Sequence, residues 1–289
     1  MSEPVGHAAV DFRVMGIVNV TPDSFSDGGL NLDCEAAIAY GRGLAAQGAT
    51  ILDVGGESTR PGAQPVSAEI ERRRVLPVIE GLVGSGVRAQ LSIDTMKASV
   101  AEAALAAGAT LVNDVTALAG DRAMAGVVAR TGADCCLVHM LGDPRTMQRD
   151  PRYGDVVGEV RAFLEERMSF AIGAGVAPER IMLDPGIGFG KTVAHNLELL
   201  RRLEELVAIG RPVLIGTSRK SFLGRLTGRP IAQRGAATLA SNVLAYVHGA
   251  RVFRVHDVAP AVDALTVAAA TVRPSWDPTS KTNSTISTT

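Results

Sequence analysis

The sequence predicts a single (β/α)8 barrel, and three observations support that. Short apolar runs recur, each ending in a polar cluster. Ala/Leu-rich stretches with helical periodicity lie between them. The unusual polar residues gather after the apolar runs, whereas the turns leading back into the next run are plain, as in "AAQGAT", "ALAAGAT" and "ARTGAD".

Taken in order, the runs are "VMGIV" at 14–18, "TILDV" at 50–54, "QLSID" at 90–94, "TLVND" at 110–114, "CCLVHM" at 135–140, "RIMLD" at 180–184, "PVLIG" at 212–216 and "RVFRV" at 251–255. Unbroken apolar runs alternating with helices indicate parallel strands covered on both faces. The intervening stretches include "CEAAIAYGRGLAAQG", "SAEIERRRVLPVIEGLVGSG" and "MKASVAEAALAAG". Gly48, Gly86, Gly108, Gly132 and Gly249 follow last apolar turns, as helix C-caps do. Eight such units in 289 residues suit the barrel; a doubly wound open sheet is the alternative. The predicted division is an N-terminal extension at 1–13, the barrel at 14–272 and a patternless polar tail at 273–289, in which Trp276 is incidental.

Composition narrows the function. Lys+Arg 29 against Asp+Glu 30 gives a formal net charge of −1, with no basic excess for nucleic acid or an anionic membrane. No stretch approaches the ~18 apolar residues of a membrane span. The opening "MSEPVGHAAV" lacks the basic and apolar regions of a signal peptide, so the expected location is cytoplasmic. Cys34, Cys135 and Cys136 form no CxxC pair and read as reduced thiols, the last two as buried core.

In a barrel the site lies at the C-terminal ends of the strands. There stand Asn19 and Asp23 after the first run, "GGESTRPG" after the second, and Asp94, Asn113 and Asp114 after the third and fourth. His139 and Asp184 close the fifth and sixth; "TSRKSF" follows the seventh, and Arg254, His256 and Asp257 belong to the eighth. Plainer roles compete. Asp114 reads best as an N-cap, Asp94 equally as a cap before "TMKASV", and Ser218 as the cap of a helix starting in "KSFLGRL". A lone strand-end His such as His139 is more often structural than catalytic. "GIGFGKT" nearly spells a P-loop, but Pro185 stands where its first Gly belongs, which argues against ATP. Neither HExxH nor GxSxG occurs, so a protein-bound zinc and a serine hydrolase elbow lack support. Carboxylates and an amide facing inward match an amino-pyrimidinone edge, whereas Arg and His beside Gly-rich loops suit phosphate. Together they point to an aromatic heterocycle with a phosphorylated arm.

"NVTPDSFSDGG", "DVGGESTRPGA", "SIDTMK", "ND", "DPGIGFGK", "SRKSF" and "RVHDV", in this order, resemble the dihydropteroate synthase family over almost the whole chain apart from the tail. Small departures are Thr116-Ala117 and Val138, where many members carry other residues. The resemblance implies a (β/α)8 barrel, usually a homodimer. It implies an enzyme that joins p-aminobenzoate to 6-hydroxymethyl-7,8-dihydropterin pyrophosphate, with Mg²⁺. It places the pterin on Asp94, Asn113, Asp184 and Lys220. Pyrophosphate would meet Asn19, Thr59, Arg60, Arg254 and His256, with Asn19 at the metal. The p-aminobenzoate would lie among Pro61, Phe189, Lys220 and Ser221. Asp94, Asp184, Lys220, Arg254 and His256 would take the catalytic roles. The loops "NVTPDSFSDGG" and "GGESTRPG" would act as flaps, with Phe25 sealing the site. The alternatives are a pterin-binding methyltransferase domain, a phosphate-binding barrel isomerase and a pterin-binding protein without catalysis.

Overall fold

A computed structural model of the chain describes residues 11–21, 29–58, 64–143 and 146–272. Eight strands alternate with helices: β1 (Arg13–Asn19), α1 (Gly29–Ala46), β2 (Ile51–Gly55), α2 (Ala68–Gly84), β3 (Gln90–Asp94), α3 (Ala98–Ala106), β4 (Leu111–Asp114), α4 (Met124–Thr131) and β5 (Asp134–Val138). They continue through α5 (Val156–Gly173), β6 (Ile181–Asp184), α6 (Val193–Arg201), α7 (Leu203–Val207), β7 (Leu214–Ile215), α8 (Ser221–Thr227), α9 (Gly235–Val247), β8 (Val252–Val255) and α10 (Val258–Val272).

All strand pairings are parallel, in the order β6-β5-β4-β3-β2-β1-β8-β7. A parallel bridge between Leu183 and Val213 joins the two edges, so the sheet curls into a nearly closed barrel. The predicted barrel is therefore the observed fold. The run at 90–94 matches β3 residue for residue, whereas "PVLIG" contributes only two strand residues. The five predicted capping glycines all adopt positive φ.

Two apolar layers follow from the period-2 alternation of strands inside a helical shell. Outward residues such as Val14, Leu52, Ile93 and Phe253 pack against the helices. Inward residues Met15, Ile51, Leu111, Cys136, Met182, Leu214 and Val252 fill the barrel's middle. Cys135 and Cys136 are both buried, and burial pushes both thiols up, Cys135 to about 12, which agrees with inert core cysteines. On six of the eight strands the inward face continues upward into polar residues, whereas β5 ends on Val138. That places Asn19, Asp53, Asp94, Asn113, Asp184 and Arg254 toward one end, above a dry plug.

Candidate active site

The centre of the mouth is an ion-pair cluster spread over four strands. Arg254 on β8 donates from Nε to Asp53 Oδ2 and from Nη2 to Asp94 Oδ2, each at 2.6 Å. Asp53 also accepts from Ser92 Oγ at 2.5 Å and from Asn113 Nδ2 at 3.0 Å. Asn113 Oδ1 is buried and has no hydrogen-bond partner among the described residues. Asp184 closes β6 and accepts from Gly186 N at 2.7 Å.

Lys220 approaches from the segment after β7. Its Nζ donates to Ile187 O and lies 4.3 Å from the Phe189 ring centroid. Gly188 makes that approach possible, and Gly186 lets the turn pack on the end of β5. A Cβ at Gly188, φ +84°, would stand 2.8 Å from Lys220 Cδ, and one at Gly186, φ +65°, would run into His139 O. The "DPGIGFGK" turn is thus a backbone shelf for Lys220.

Electrostatics distinguish this region. Burial raises the Asp94 carboxyl to about 7 against the pull of Arg254, with Asp53 adding to the rise. Burial also raises Asp184, although Lys220 opposes it. Burial lowers Lys220 to about 8, with Asp184 acting against that shift. For Arg254, burial works against the charge, but Asp53 and Asp94 outweigh it and raise the guanidinium. Three carboxylates face two cations, so the pocket carries a surplus of acceptors.

Several expectations need correction. Ser218 does not cap α8. Its Oγ lies 2.9 Å from His256 Nδ1 and accepts from His256 N at 3.2 Å, so it ties the β7 loop to the end of β8. Lys220 occupies the cap position without a side-chain cap bond. Asp94 does not cap α3, because Asp121 takes the Ala98 N–H at 2.9 Å. Asp114 caps a turn rather than a helix: it accepts from Thr116 N and Leu118 N, bracketing Ala117 and Leu118 at positive φ. His139 is not in the mouth. Its ring packs edge-on to Phe163 of α5 at 4.8 Å and its Nδ1 meets Lys191 Nζ at 2.8 Å. Burial lowers Lys191 well below its ordinary value and His139 to about 3, so this pair is an internal brace. Lys191 therefore serves no phosphate cradle, in keeping with the rejected P-loop.

Asn19 ends β1 on the inward face, Phe189 packs against the inner apolar layer, and Ser221 begins α8 in an exposed position. Thr59, Arg60 and Pro61 lie outside the described residues, as do Asp23, Phe25, most of the first predicted flap and half of the second. At the base of the second, Glu57 accepts from Val66 N at 3.1 Å and from Lys97 Nζ at 2.5 Å. Sequence reasoning missed Asp53, Ser92, Ser218 and Lys191. The available signal for Asp53 was a carboxylate inside an otherwise apolar buried strand, where it needs partners.

A parallel barrel with an acceptor-rich, partly unsatisfied mouth defines an enzyme that binds a polar heterocycle at its C-terminal rim. The family model described as pterin binding enzyme matches residues 15–256. Dihydropteroate synthase of Neisseria meningitidis serogroup C is 48% identical over 257 residues, covering 88% of this chain and 90% of that protein. Two solved structures of Xanthomonas albilineans dihydropteroate synthase are also similar. One, with 4-aminobenzoic acid, has TM-score 0.85 and 51% identity, covering 91% of this chain and 94% of that one. The other, in complex with 7,8-dihydropteroate, has TM-score 0.82, 48% identity and the same coverage. The chain belongs to the dihydropteroate synthase family of pterin-binding enzymes.

Proposed function

We propose that the protein condenses p-aminobenzoate with 6-hydroxymethyl-7,8-dihydropterin pyrophosphate, giving 7,8-dihydropteroate and pyrophosphate. The observation that supports this best is the pairing of acceptors and cations in one mouth. Asp184, Asp94 and the unpartnered Asn113 Oδ1 suit the N–H-rich edge of a pterin. Arg254, gripped by two carboxylates through Nε and Nη2, keeps Nη1 for an anion, with His256 two residues further on.

The chemistry follows from these groups. The amine lone pair of p-aminobenzoate attacks the pterin methylene carbon as its bond to the pyrophosphate oxygen breaks. That electron pair leaves with pyrophosphate, and the new secondary amine then loses a proton to water. No strong base is needed, because a neutral aniline is already nucleophilic. Asp94 and Asp184 stabilise positive charge building on the dihydropterin, while Arg254 and His256 stabilise the departing anion. Lys220, held above the Phe189 ring, serves both the pterin and the p-aminobenzoate in this reading. Phe189 supplies an apolar wall for p-aminobenzoate, to which the sequence motif adds Pro61, and Ser221 offers its hydroxyl to the carboxylate. Asn19, with Thr59 and Arg60, completes the pyrophosphate side.

No cluster of three His, Cys, Asp or Glu suited to a metal occurs among the described residues. A single hard oxygen from Asn19 fits Mg²⁺ arriving with the pyrophosphate, since this ion keeps water and phosphate ligands. When bound, it would neutralise charge on the leaving group. A homodimer agrees with the exposed apolar side chains Leu244 and Val247 of α9 and Val267 of the neighbouring α10. A cytoplasmic location agrees with the absence, among the described residues, of any helix long and apolar enough to cross a membrane.

Mixing the protein with Mg²⁺ and both substrates should release pyrophosphate together with dihydropteroate. Release without the amine would indicate a hydrolase, and no release a binder; either overturns the proposal.

A further inference from the structure

Asp53 lies in the middle of β2, fully buried and below the rim where the other polar residues stand. Its two oxygens meet three donors: Ser92 Oγ on Oδ1, and Asn113 Nδ2 and Arg254 Nε on Oδ2. An ionised carboxylate can only accept. Asn113 must therefore turn its NH2 inward to Asp53, and its carbonyl oxygen becomes the group offered to the mouth. That oxygen is the buried atom without a partner among the described residues. Asp53 also sets the plane of Arg254, because Nε bonded to Asp53 and Nη2 bonded to Asp94 leave the guanidinium one orientation.

We propose that Asp53 is a positioning and specificity-determining residue that sets the hydrogen-bond polarity of the pocket. Through it, Asn113 presents only an acceptor. The pocket therefore selects a heterocycle with an N–H donor at that point and refuses one with an unprotonated ring nitrogen there. Asp53 touches no substrate itself; it acts through Asn113 and Arg254. This rests on the pterin reading of the mouth.

The test exchanges the two side chains. In Asp53→Asn the new amide can donate to Asn113 Oδ1, so Asn113 is free to turn and show its NH2. Calorimetry with 6-hydroxymethyl-7,8-dihydropterin pyrophosphate and Mg²⁺ should show affinity about tenfold or more weaker, equivalent to about 1.4 kcal/mol or more. The KM for p-aminobenzoate should change much less. The double variant D53N/N113D should regain affinity to within about threefold of the wild type. The amide carried by β2 can then donate to the carboxylate carried by β4, whose other oxygen again offers an acceptor to the mouth. An Asp53→Asn protein that binds the pterin as the wild type does would overturn the assignment. So would a double variant no better than the single one. Should the single variant not fold, the double variant alone decides, because affinity near wild type supports the assignment and a tenfold loss overturns it. Failure of the wild type to release pyrophosphate from the two substrates would sink the pterin reading instead, and that assay involves no substitution.

Discussion

The barrel has a charged layer at each end of its apolar plug, and the two ends differ in how their hydrogen bonds close. At the N-terminal end Arg13 donates to Gln90 Oε1 at 2.5 Å, Gln90 Nε2 to Asp134 Oδ2 at 2.7 Å, and Arg180 to Asp134 Oδ1 at 3.1 Å. Arg251 pairs with Asp11 at 3.3 Å beside a cavity of about 200 Å³. Here donors and acceptors match one another. At the C-terminal end an amide oxygen is left without a partner, and burial moves Asp94 to about 7 and Lys220 to about 8. Both layers are built from the same residue types at the same period. A polar layer that closes on itself supports the fold, whereas one that leaves an acceptor open and brings its titrations near neutral pH is prepared for a ligand.

The largest expected effect tests the open end. Asp184→Asn replaces one acceptor with a donor facing the pterin edge and should weaken pterin binding by about 2–4 kcal/mol. Unchanged affinity by calorimetry, in a folded variant, would leave Asp184 a turn residue that only holds Gly186.

The matching change at the closed end should leave catalysis alone. Gln90→Ala removes the Arg13 partner from a half-buried guanidinium and should lower stability by about 1–2 kcal/mol in denaturant titration. KM for both substrates should stay at wild-type values; a raised KM would show that the two ends communicate.

The pH dependence of kcat/KM sharpens the comparison. Asp94, raised to about 7, becomes a carboxylate only as pH climbs through that value, and Lys220, lowered to about 8, loses its proton above it. A narrow bell should result, falling about tenfold per pH unit on each side. Lys220→Arg keeps its charge and should remove the alkaline limb only. The same Asp94 shift makes the folded state bind more protons than the unfolded chain between the ordinary value of 3.8 and about 7, so its contribution to stability falls as pH rises through that window. A flat profile from pH 6 to 9 would contradict both shifts.

The smallest effect concerns Ser221. Ser221→Ala removes one neutral donor and should raise the KM for p-aminobenzoate by about 1 kcal/mol equivalent. Lys220→Ala should instead damage pterin use. If Ser221→Ala impaired the pterin and spared p-aminobenzoate, the placement of the two substrates along this segment would be reversed.

Much of this molecule was legible in the sequence. Strand positions came from apolar runs and helix ends from glycines that require positive φ, both local signals. The polar residues after each run marked the rim, and five of them, Asp94, Asn113, Asp184, Lys220 and Arg254, do line the mouth. Local signals erred where two explanations share one residue type. Ser218 looks like a cap because serine before a helix often is one, but its partner His256 lies 38 residues away. The near P-loop at Lys191 was rightly set aside on Pro185, but the lysine's partner His139, 52 residues earlier, had no local signal.

The sequence by itself determined the eight strand–helix units and the end at which chemistry gathers, because period, caps and turns act over a few residues. Only the tertiary structure decided which side chains close on one another. Asp53 and Arg254 stand 201 positions apart, and their 2.6 Å bond exists because β1 pairs with both β2 and β8. That closure makes Asp53 an acceptor for three strands, turns the Asn113 amide nitrogen to Asp53 and leaves its oxygen without a partner among the described residues. Facing is a matter of period, but distance and desolvation arise when the sheet curls round on itself.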